Sequence, residues 1–525
     1  MLGRVKPLDA ILATAEKKSL HRSLGAWQLT LLGVGAVIGT GIFVLTSEAA
    51  QKAGPGMMWS FVIAALVCGV AALCYSELAS MVPVSGSAYT YTYAVMGELL
   101  AWMVGWALIL EYAVAASAVS VGWSGYFVGL LANAGIHLPP SLTVGSYAPG
   151  GFINLPALVI ALLVTFLLMI GTRESARVNA VLVAIKVTAL VMFIVLTIPM
   201  LKGQNFEPFA PNGWFGSQSG FGVVGAAASI FFAYVGFDAV STAAEETKNP
   251  QRNVPIGLIG SLGICTIFYL LVAAGAIGTI GSQPISGPNG ELLAPGSSAF
   301  AQHCLSLAGM GQEPLVCSKE ALAHTLREIG YPGLGNLIGL AAFLALPSVI
   351  LIMLFGQTRI FFVMARDGLL PEKLAAVHPR WKTPHVVTMI TGVAVSLFAA
   401  FLPVGKLADI SNSGTLFAFF MVAIAVLILR RTQPDRKRPF RTPMVWIVAP
   451  LAIVGTLGLY WNLPFDAKMV LPGWGAIGLV VYFLYSYRHS HVGRGIIDTH
   501  EDDADVPPQP VPPMPNAPTP GGHNA

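Results

Sequence analysis

A glycine-rich run near the start of the chain is the first candidate for chemistry in this sequence. The run LTLLGVGAVIGTGIFVLT contains Gly33, Gly35, Gly39 and Gly41, with Thr40 between the last two. A dinucleotide loop needs a preceding strand, and this run lies in continuous apolar sequence instead. Small residues can also let two membrane helices approach closely. Four glycines within nine residues favour a third interpretation, a membrane helix that is locally unwound.

A second interruption lies in VVGAAASIFFAYVGFDAVSTAAEE, where Gly236 and Asp238 fall in the middle of an apolar segment. A single glycine in a membrane helix usually serves helix contact. Gly236 indicates a break only because its position in the second half of the chain matches that of the glycine-rich run in the first half. Unwound backbone is tolerated in a membrane where it lines a cavity. Half-helix N-termini attract anions and C-termini attract cations. Two facing breaks therefore suit a zwitterion such as an α-amino acid.

Two ionisable side chains interrupt other apolar segments. Glu111 lies in WALILEYAVAASAVSVGW and Lys186 lies in NAVLVAIKVTALVMF. A central charge costs about 2.5–3.5 kcal/mol on insertion scales, so each is expected to be functional unless the two form a structural pair. Burial disfavours a charged amine, so Lys186 can release a proton near neutral pH. No nucleophile–base constellation and no histidine pair with ligand spacing is apparent, so we expect no enzyme activity, metal or cofactor.

The five cysteines fit neither a disulfide framework nor a zinc-finger spacing. Cys68, Cys74 and Cys265 fall in apolar segments, whereas Cys304 and Cys317 fall in the loop 281–332. We predict a disulfide between Cys304 and Cys317, because an oxidising outer compartment permits one. Two free thiols are the alternative.

The composition explains where these residues must lie. Hydrophobic residues make up 55% of the 525 residues and charged residues 10%, with a net charge of +4 and a mean hydropathy of +0.71. An ordinary soluble domain is about 25% charged, so a soluble enzyme, a disordered scaffold and a nucleic-acid binder are poor fits. Lipid is the simplest explanation of so much apolar surface.

Apolar runs long enough to cross a bilayer recur along the chain, and they are too long and continuous for the strands of a β-barrel. We predict twelve spans, near 28–50, 57–81, 98–131, 153–171, 178–200, 222–245, 255–280, 333–362, 385–403, 409–430, 443–462 and 471–489.

The distribution of Lys and Arg predicts the orientation of these spans. With the N-terminus in the cytoplasm, most of the 29 Lys and Arg lie on that side, mainly in 1–26, 359–384 and 430–442. The chain then has a cytoplasmic N-terminal segment over 1–26 with an interfacial helix, and a transmembrane domain over 27–489. A Pro-rich cytoplasmic tail over 490–525 is expected to be disordered.

Interrupted helices at matching places in two halves predict an inverted-repeat transporter. The repeats cover about 27–200 and 222–430, and spans eleven and twelve, over 443–489, fall outside them. A channel would need rings of polar or charged groups along a pore, whereas these spans carry isolated charges.

Four motifs resemble the cationic amino acid transporter family of the amino acid–polyamine–organocation superfamily. They are GVGAVIGTGIFVLTSEAA, ESARVNAVLVAIKV, FFAYVGFDAVSTAAEETKNPQRNVPIGL and FGQTRIFFVMARDGLLP. The resemblance covers roughly residues 20–490. It implies an all-α integral membrane protein with the leucine-transporter fold, in which twelve helices form a five-plus-five inverted repeat and two extra helices.

The resemblance also implies a substrate site. The corresponding residues are Ile38, Thr40, Gly41, Ile42, Phe231, Ala233 and Tyr234. The first four resemble the unwound carboxylate site, Phe231 resembles an aromatic gate over the substrate, and the carbonyls of Ala233 and Tyr234 resemble the ammonium site.

Other positions carry implied roles in coupling and specificity. Lys186 matches the lysine that takes the place of a sodium ion in proton-coupled members. Glu111 matches an acidic position associated with cationic substrates, and Ser348 and Ile350 lie where the family shapes the pocket. Bacterial relatives with this pattern can prefer small neutral amino acids, so both substrate classes stay open.

We therefore expect an amino acid importer of the cytoplasmic membrane, driven by protons, with both chain ends in the cytoplasm. An amino acid exchanger is the alternative. The expected partners are the amino acid, protons and the lipid bilayer, with no nucleic acid; the sequence identifies no accessory subunit.

Overall fold

The computed structural model describes residues 4–6, 24–82, 87–171, 176–242, 247–381 and 383–495. Within these residues the protein is helical, and its β-type pairings are isolated bridges. The interfacial helix expected within 1–26 and most of the tail expected over 490–525 lie outside the described residues.

We number the helices of at least eight residues in chain order. They are α1 Ala26–Val37, α2 Leu45–Ala53, α3 Met57–Met81, α4 Ser87–Met96, α5 Glu98–Asn133, α6 Leu155–Met169, α7 Ala176–Thr197, α8 Gly222–Ile230, α9 Pro250–Ile280, α10 Ser298–Gly309, α11 Ala321–Glu328, α12 Pro332–Arg366, α13 His385–Phe401, α14 Val404–Thr432, α15 Val445–Asn462 and α16 Phe465–Val481. Shorter turns are referred to by their residues.

Most of these helices are apolar enough to lie in a bilayer. Eight helical segments of the described residues have the length and composition to cross one, counting the continuous stretch Leu45–Met81 as one segment. Four shorter apolar helices coincide with the predicted spans one, four, six and nine: Ala26–Val37, Leu155–Met169, Gly222–Tyr234 and His385–Phe401. The all-helical architecture agrees with the sequence, and the number of twelve crossings stays a prediction.

Helix α5 lies at the centre of the molecule. Its most apolar window is 78% buried, the highest share among the eight candidate spans, so protein surrounds it instead of lipid. Ala115, Ala116 and Ala118 are fully buried on it, and such small side chains let α12 and α14 approach its backbone.

The helix contacts of the two halves of the chain correspond to each other. Helices α3 and α9 contact each other, as do α5 and α12, and α6 and α13. Helix α1 packs against α9 while α8 packs against α3, and α7 packs against α9 while α14 packs against α3. Each of these contacts is therefore preserved when both helices are exchanged for the helices at the matching positions of the other half.

The connection between α9 and α12 folds over α2. Gln51 Nε2 donates to the carbonyls of Ile285, at 2.7 Å, and Leu293, at 3.0 Å, and its Oε1 accepts from the Ile285 amide at 2.9 Å. A disulfide joins Cys304 and Cys317 in this connection. Helices α10 and α11 belong to the same connection.

The two ends of the described chain meet at the start of α5. Arg4 Nη1 lies 3.4 Å from a carboxylate oxygen of Glu98, and Lys6 Nζ lies 2.8 Å from Asp367. Ser490 is fully buried and donates a hydrogen bond to Glu98. The folded part of the chain therefore reaches residue 495, beyond the predicted boundary at 489.

Candidate functional site

The first membrane helix is broken at Ile38 and Gly39. Helix α1 ends at Val37, Gly39 has φ −147° and ψ −147°, and helix resumes over Thr40–Phe43 before α2. The break leaves carbonyls at the end of α1 and amides at the start of the next turn without helical partners. These backbone groups are available for other bonds.

The unwinding is shorter than the glycine pattern predicted. Gly33 and Gly35 lie within the regular part of α1. A Cβ atom on Gly33 would lie 2.5 Å from the Ser261 hydroxyl oxygen, so this glycine serves close contact with α9. The interpretation as a close helix contact is correct for Gly33, and the interpretation as a local unwinding is correct for Gly39.

The second break follows α8. The 3₁₀ turn Phe231–Tyr234 continues from Ile230, and Val235 is extended. Gly236 then has φ +108°, a conformation that side chains with a Cβ atom rarely adopt. A Cβ atom there would also lie 3.1 Å from the Ala36 carbonyl oxygen. Glycine is thus needed both for the backbone conformation and for close approach to the end of α1.

The two breaks touch each other. A Cβ atom on Gly41 would lie 2.3 Å from the Cα of Ala233, so no side chain fits between these segments. The Tyr269 hydroxyl lies 2.8 Å from both the Val37 carbonyl and the Ala233 carbonyl. Because a phenol has one proton, it can donate to only one of them at a time. Tyr269 gives no signal in the sequence, because it lies within the apolar run of α9.

The side chains around the breaks are mostly apolar. The predicted substrate residues that have side chains are all buried: Ile38, Thr40, Ile42, Phe231, Ala233 and Tyr234. The Thr40 hydroxyl has no hydrogen-bond partner among the described residues. On α12, Val349 is 3.5 Å from the Cβ position of Gly39, and the predicted pocket residue Ile350 is the buried next residue. The sequence had not singled out Val349.

Lys186 reaches the first break from α7. Its side chain is buried, and Nζ donates to the Gly35 carbonyl at 2.8 Å and to the Ser348 hydroxyl at 3.5 Å. It therefore links α7 to the C-terminal end of α1 and to α12. A helix C-terminus favours positive charge, which suits an ammonium group at this place.

Glu111 lies apart from Lys186. It is buried on α5, and neither carboxylate oxygen has a hydrogen-bond partner among the described residues. Asp238, just after the second break, interacts with it electrostatically and accepts a 3.0 Å hydrogen bond from Tyr112. The described structure contains no ion pair between Glu111 and Lys186, so the alternative of a structural pair is not observed.

A buried ion pair holds the other half of the first broken helix. Lys52 Nζ, on α2, lies 3.1 Å from an Asp409 carboxylate oxygen on α14 and 2.5 Å from the Ser229 hydroxyl on α8. All three side chains are buried, and Glu48, one turn before Lys52, interacts electrostatically with this pair. Neither Lys52 nor Asp409 stands out in the sequence, because each lies near a helix end where charges are common.

Comparison with known proteins gives a consistent result. A family model described as amino acid permease matches residues 24–484. The branched-chain amino acid permease of Bacillus subtilis is 46% identical over 489 residues, which cover 93% of this chain and 97% of the relative. The methylthioribose transporter of the same organism is 42% identical over 496 residues, or 94% and 99% of the two chains. The vacuolar cationic amino acid transporter 2 of Arabidopsis thaliana is 35% identical over 449 residues, or 83% and 64%. This chain therefore belongs to the amino acid permease family of the amino acid–polyamine–organocation superfamily, and it is a multi-pass membrane transporter, not an enzyme.

Proposed function

We propose that this permease imports amino acids by secondary active transport coupled to protons. The observation that carries the proposal is the bond between the buried Lys186 and the end of α1, directly beside two facing helix breaks. The breaks offer a site for the substrate, and the lysine offers a group that can gain and lose a proton within the membrane.

The corresponding helix contacts support a five-plus-five inverted repeat. In that arrangement the first broken helix, α1 and α2, is equivalent to the second, which begins with α8. Helices α3, α5, α6 and α7 are then equivalent to α9, α12, α13 and α14, and exchanging equivalents preserves the helix contacts named above. Helices α15 and α16 lie outside the repeat. Substrate sites in such folds lie between the discontinuous helices.

The backbone groups of the breaks suit the two ends of an amino acid. The amides at the start of Thr40–Phe43 lie at the positive end of a half-helix, which attracts the carboxylate of an amino acid. The carbonyls of Ala233 and Tyr234 suit the ammonium group. Since Tyr269 can donate to the Val37 carbonyl instead, an arriving ammonium can replace it at the Ala233 carbonyl without leaving the hydroxyl unpaired.

The substrate class we propose is branched-chain and other neutral aliphatic amino acids. Ile38, Ile42 and Val349 supply an apolar surface at the first break. The 46% identity to the branched-chain amino acid permease of Bacillus subtilis supports this choice. The unpaired carboxylate of Glu111 makes cationic amino acids the second candidate.

Protonation of Lys186 provides a physical route to coupling. The ammonium form makes a charge-assisted hydrogen bond to the Gly35 carbonyl and holds α1 against α7. The neutral amine loses much of that attraction, so α1 can move relative to α7 and α12. A proton that stabilises one of two conformations shifts the equilibrium between them, which is what coupling requires.

We propose that the protein lies in the cytoplasmic membrane. In the proposed orientation both chain ends are in the cytoplasm. The basic segment 433–444 then lies inside, and the disulfide-linked connection between α9 and α12 lies outside. A cysteine introduced at the exposed Ser306 on α10 tests this orientation in intact cells. Labelling by a membrane-impermeant maleimide supports it, and protection from the reagent contradicts it.

Uptake into proteoliposomes tests the coupling proposal. Wild-type protein should accumulate radiolabelled leucine when the inside of the vesicle is alkaline and should lose that accumulation when an ionophore removes the proton gradient. Lys186→Ala should abolish gradient-driven accumulation while leaving measurable leucine binding. The exposed Lys202 provides a matched control, since Lys202→Ala removes a lysine outside the site and should transport normally.

The outcomes separate the alternatives. Leucine counterflow without any proton dependence in the wild type would favour the exchanger. Competition by lysine or arginine, but not by leucine or isoleucine, would favour a cationic substrate. Normal gradient-driven accumulation by Lys186→Ala would contradict the role of the lysine.

A further inference from the structure

A groove separate from the helix breaks runs between the N-terminal end of α9 and the segment that joins α14 to α15. Its volume is about 670 Å³, within the range of small-molecule sites. The residues that line it are Gln251, Arg252, Pro255, Ile256, Ile259, Gly260, Pro439 and Phe440. None of these residues takes part in the substrate site described above.

The lining changes from polar to apolar along α9. Gln251 and Arg252 lie in the first turn, and the following lining residues on the same face, Pro255 to Gly260, are apolar. At 1.5 Å per residue, Ile259 lies about 10 Å further along the helix axis than Arg252. Ile256 and Ile259 are 43% and 38% exposed, so the apolar end is open to the surroundings. The groove thus has a cationic end and an apolar arm that reaches towards the bilayer interior.

The cationic end has no counter-ion among the residues that the structure describes. Arg252 is exposed and forms no ion pair within the described part of the chain. The opposite wall belongs to a segment that also carries Lys437 and Arg441, which are exposed and likewise unpaired among the described residues. Arg438 differs, because it is buried, contacts Glu77 at 3.1 Å, and donates to carbonyls of its own segment and of the last turn of α14. Arg252 is therefore the charged residue of the lining, and Lys437 and Arg441 lie exposed on either side of the lining pair Pro439 and Phe440.

We propose that this groove binds an anionic phospholipid, with the phosphate at Arg252 and one acyl chain along Ile256 and Ile259. The charge at one end and the apolar arm match the two parts of such a lipid, and basic pockets between membrane helices on the cytoplasmic side are sites for anionic head groups. The choice of leaflet rests on the orientation proposed above. A free phosphate ion would use the cationic end but would gain nothing from the isoleucines.

Bound lipid would join two parts of the molecule that belong to different helices. One wall is α9, which carries Tyr269 at the helix breaks, and the other wall is the segment anchored to Glu77 on α3 through Arg438. Occupancy therefore stabilises the position of α9 relative to α3 and α14.

Native mass spectrometry of the purified full-length protein tests this proposal without relying on transport. The probes are dioleoyl-phosphatidylglycerol and dioleoyl-phosphatidylcholine, titrated separately. Wild-type protein should retain phosphatidylglycerol at lower lipid concentration than phosphatidylcholine. Arg252→Ala should weaken phosphatidylglycerol binding about fivefold, since one cation near a lipid surface contributes about that factor. Arg380→Ala, which removes an exposed arginine outside the groove, should have no effect.

A second variant tests the apolar arm. Ile259→Trp fills the groove from its membrane side and should weaken phosphatidylglycerol binding while leaving the protein folded, as judged by its melting temperature. Equal binding of the two lipids by the wild type, or phosphatidylglycerol binding unchanged by Arg252→Ala, would overturn the proposal. So would displacement of the lipid by millimolar inorganic phosphate alone, since that result would identify a simple anion site.

Discussion

Gly41 and Gly39 lie two residues apart at the same break, yet the structure predicts opposite outcomes for the same substitution. A Cβ atom on Gly41 would lie 2.3 Å from the Cα and 2.5 Å from the Cβ of Ala233. A Cβ atom on Gly39 would lie 3.5 Å from Val349, an ordinary contact distance, and its backbone conformation has negative φ. Gly41→Ala therefore forces the two breaks apart, and Gly39→Ala does not.

The magnitude follows from the distances. Carbon atoms in contact lie about 3.5–4.0 Å apart, so Gly41→Ala requires the two segments to separate by about 1.2 Å or more. Overpacking of this kind costs about 1–3 kcal/mol. If the cost falls on the substrate-bound conformation, the dissociation constant for leucine rises by about 5- to 150-fold. Gly39→Ala should change it by less than about threefold.

Two measurements on the same preparations separate binding from folding. The dissociation constant is measured by scintillation proximity with radiolabelled leucine, and the melting temperature is measured by intrinsic fluorescence. We expect Gly41→Ala to remain folded, with weaker leucine binding and a modestly lower melting temperature. Leucine binding equal to that of the wild type in folded Gly41→Ala would refute the reasoning, because the contact of the two breaks would then have no part in the site. A large loss in Gly39→Ala would refute it equally.

Three further predictions concern groups around the breaks and in the connection between α9 and α12. Tyr269→Phe should destabilise the unliganded protein by about 1–3 kcal/mol, because it leaves two buried carbonyls with one donor fewer, and saturating leucine should then raise the melting temperature more than in the wild type. Lys52→Met should cost about 3–5 kcal/mol of stability by leaving a buried carboxylate on α14 unpaired, and Asp409→Asn in the same chain should recover much of the lost melting temperature. His324, on α11, is buried, and burial holds its pKa below the ordinary value despite nearby acidic side chains. The unfolded state then takes up the proton first, so stability should fall as pH drops through about 6.5, and His324→Gln should flatten that part of the melting-temperature profile.

The sequence predicted the features that depend on composition within a short stretch. Long apolar runs predicted the helices, and Gly39 and Gly236 marked the two breaks because each is a backbone irregularity encoded locally. Lys186 stood out because a charge in an apolar run is rare, and the structure places it against the Gly35 carbonyl. The pattern did not distinguish a glycine that serves helix contact, such as Gly33, from one that allows unwinding. Both uses require the absence of a side chain, and only the neighbouring helix decides between them.

The features that the sequence did not predict depend on residues far apart in the chain. Lys52 and Asp409 are separated by more than 350 positions, and each looks like an isolated charge near a helix end. Tyr269 is one of many aromatic residues in apolar segments, and only its distance to two carbonyls reveals its position at the breaks. Partners of this kind are set by helix arrangement, which local periodicity does not encode.

The two buried lysines divide the first broken helix into separately held halves. Lys186, on α7, holds the N-terminal half by the Gly35 carbonyl, and Lys52, within the C-terminal half, bonds to Asp409 on α14 and Ser229 on α8. Because Ile38 and Gly39 interrupt the helical hydrogen bonds, motion of one half does not have to carry the other with it. In the proposed orientation, release of the Gly35 carbonyl frees the cytoplasmic half while the pair at Lys52 keeps the outer half in place. A transporter must open to one side while it stays closed to the other, and a helix held at two independent points on either side of its break meets that requirement.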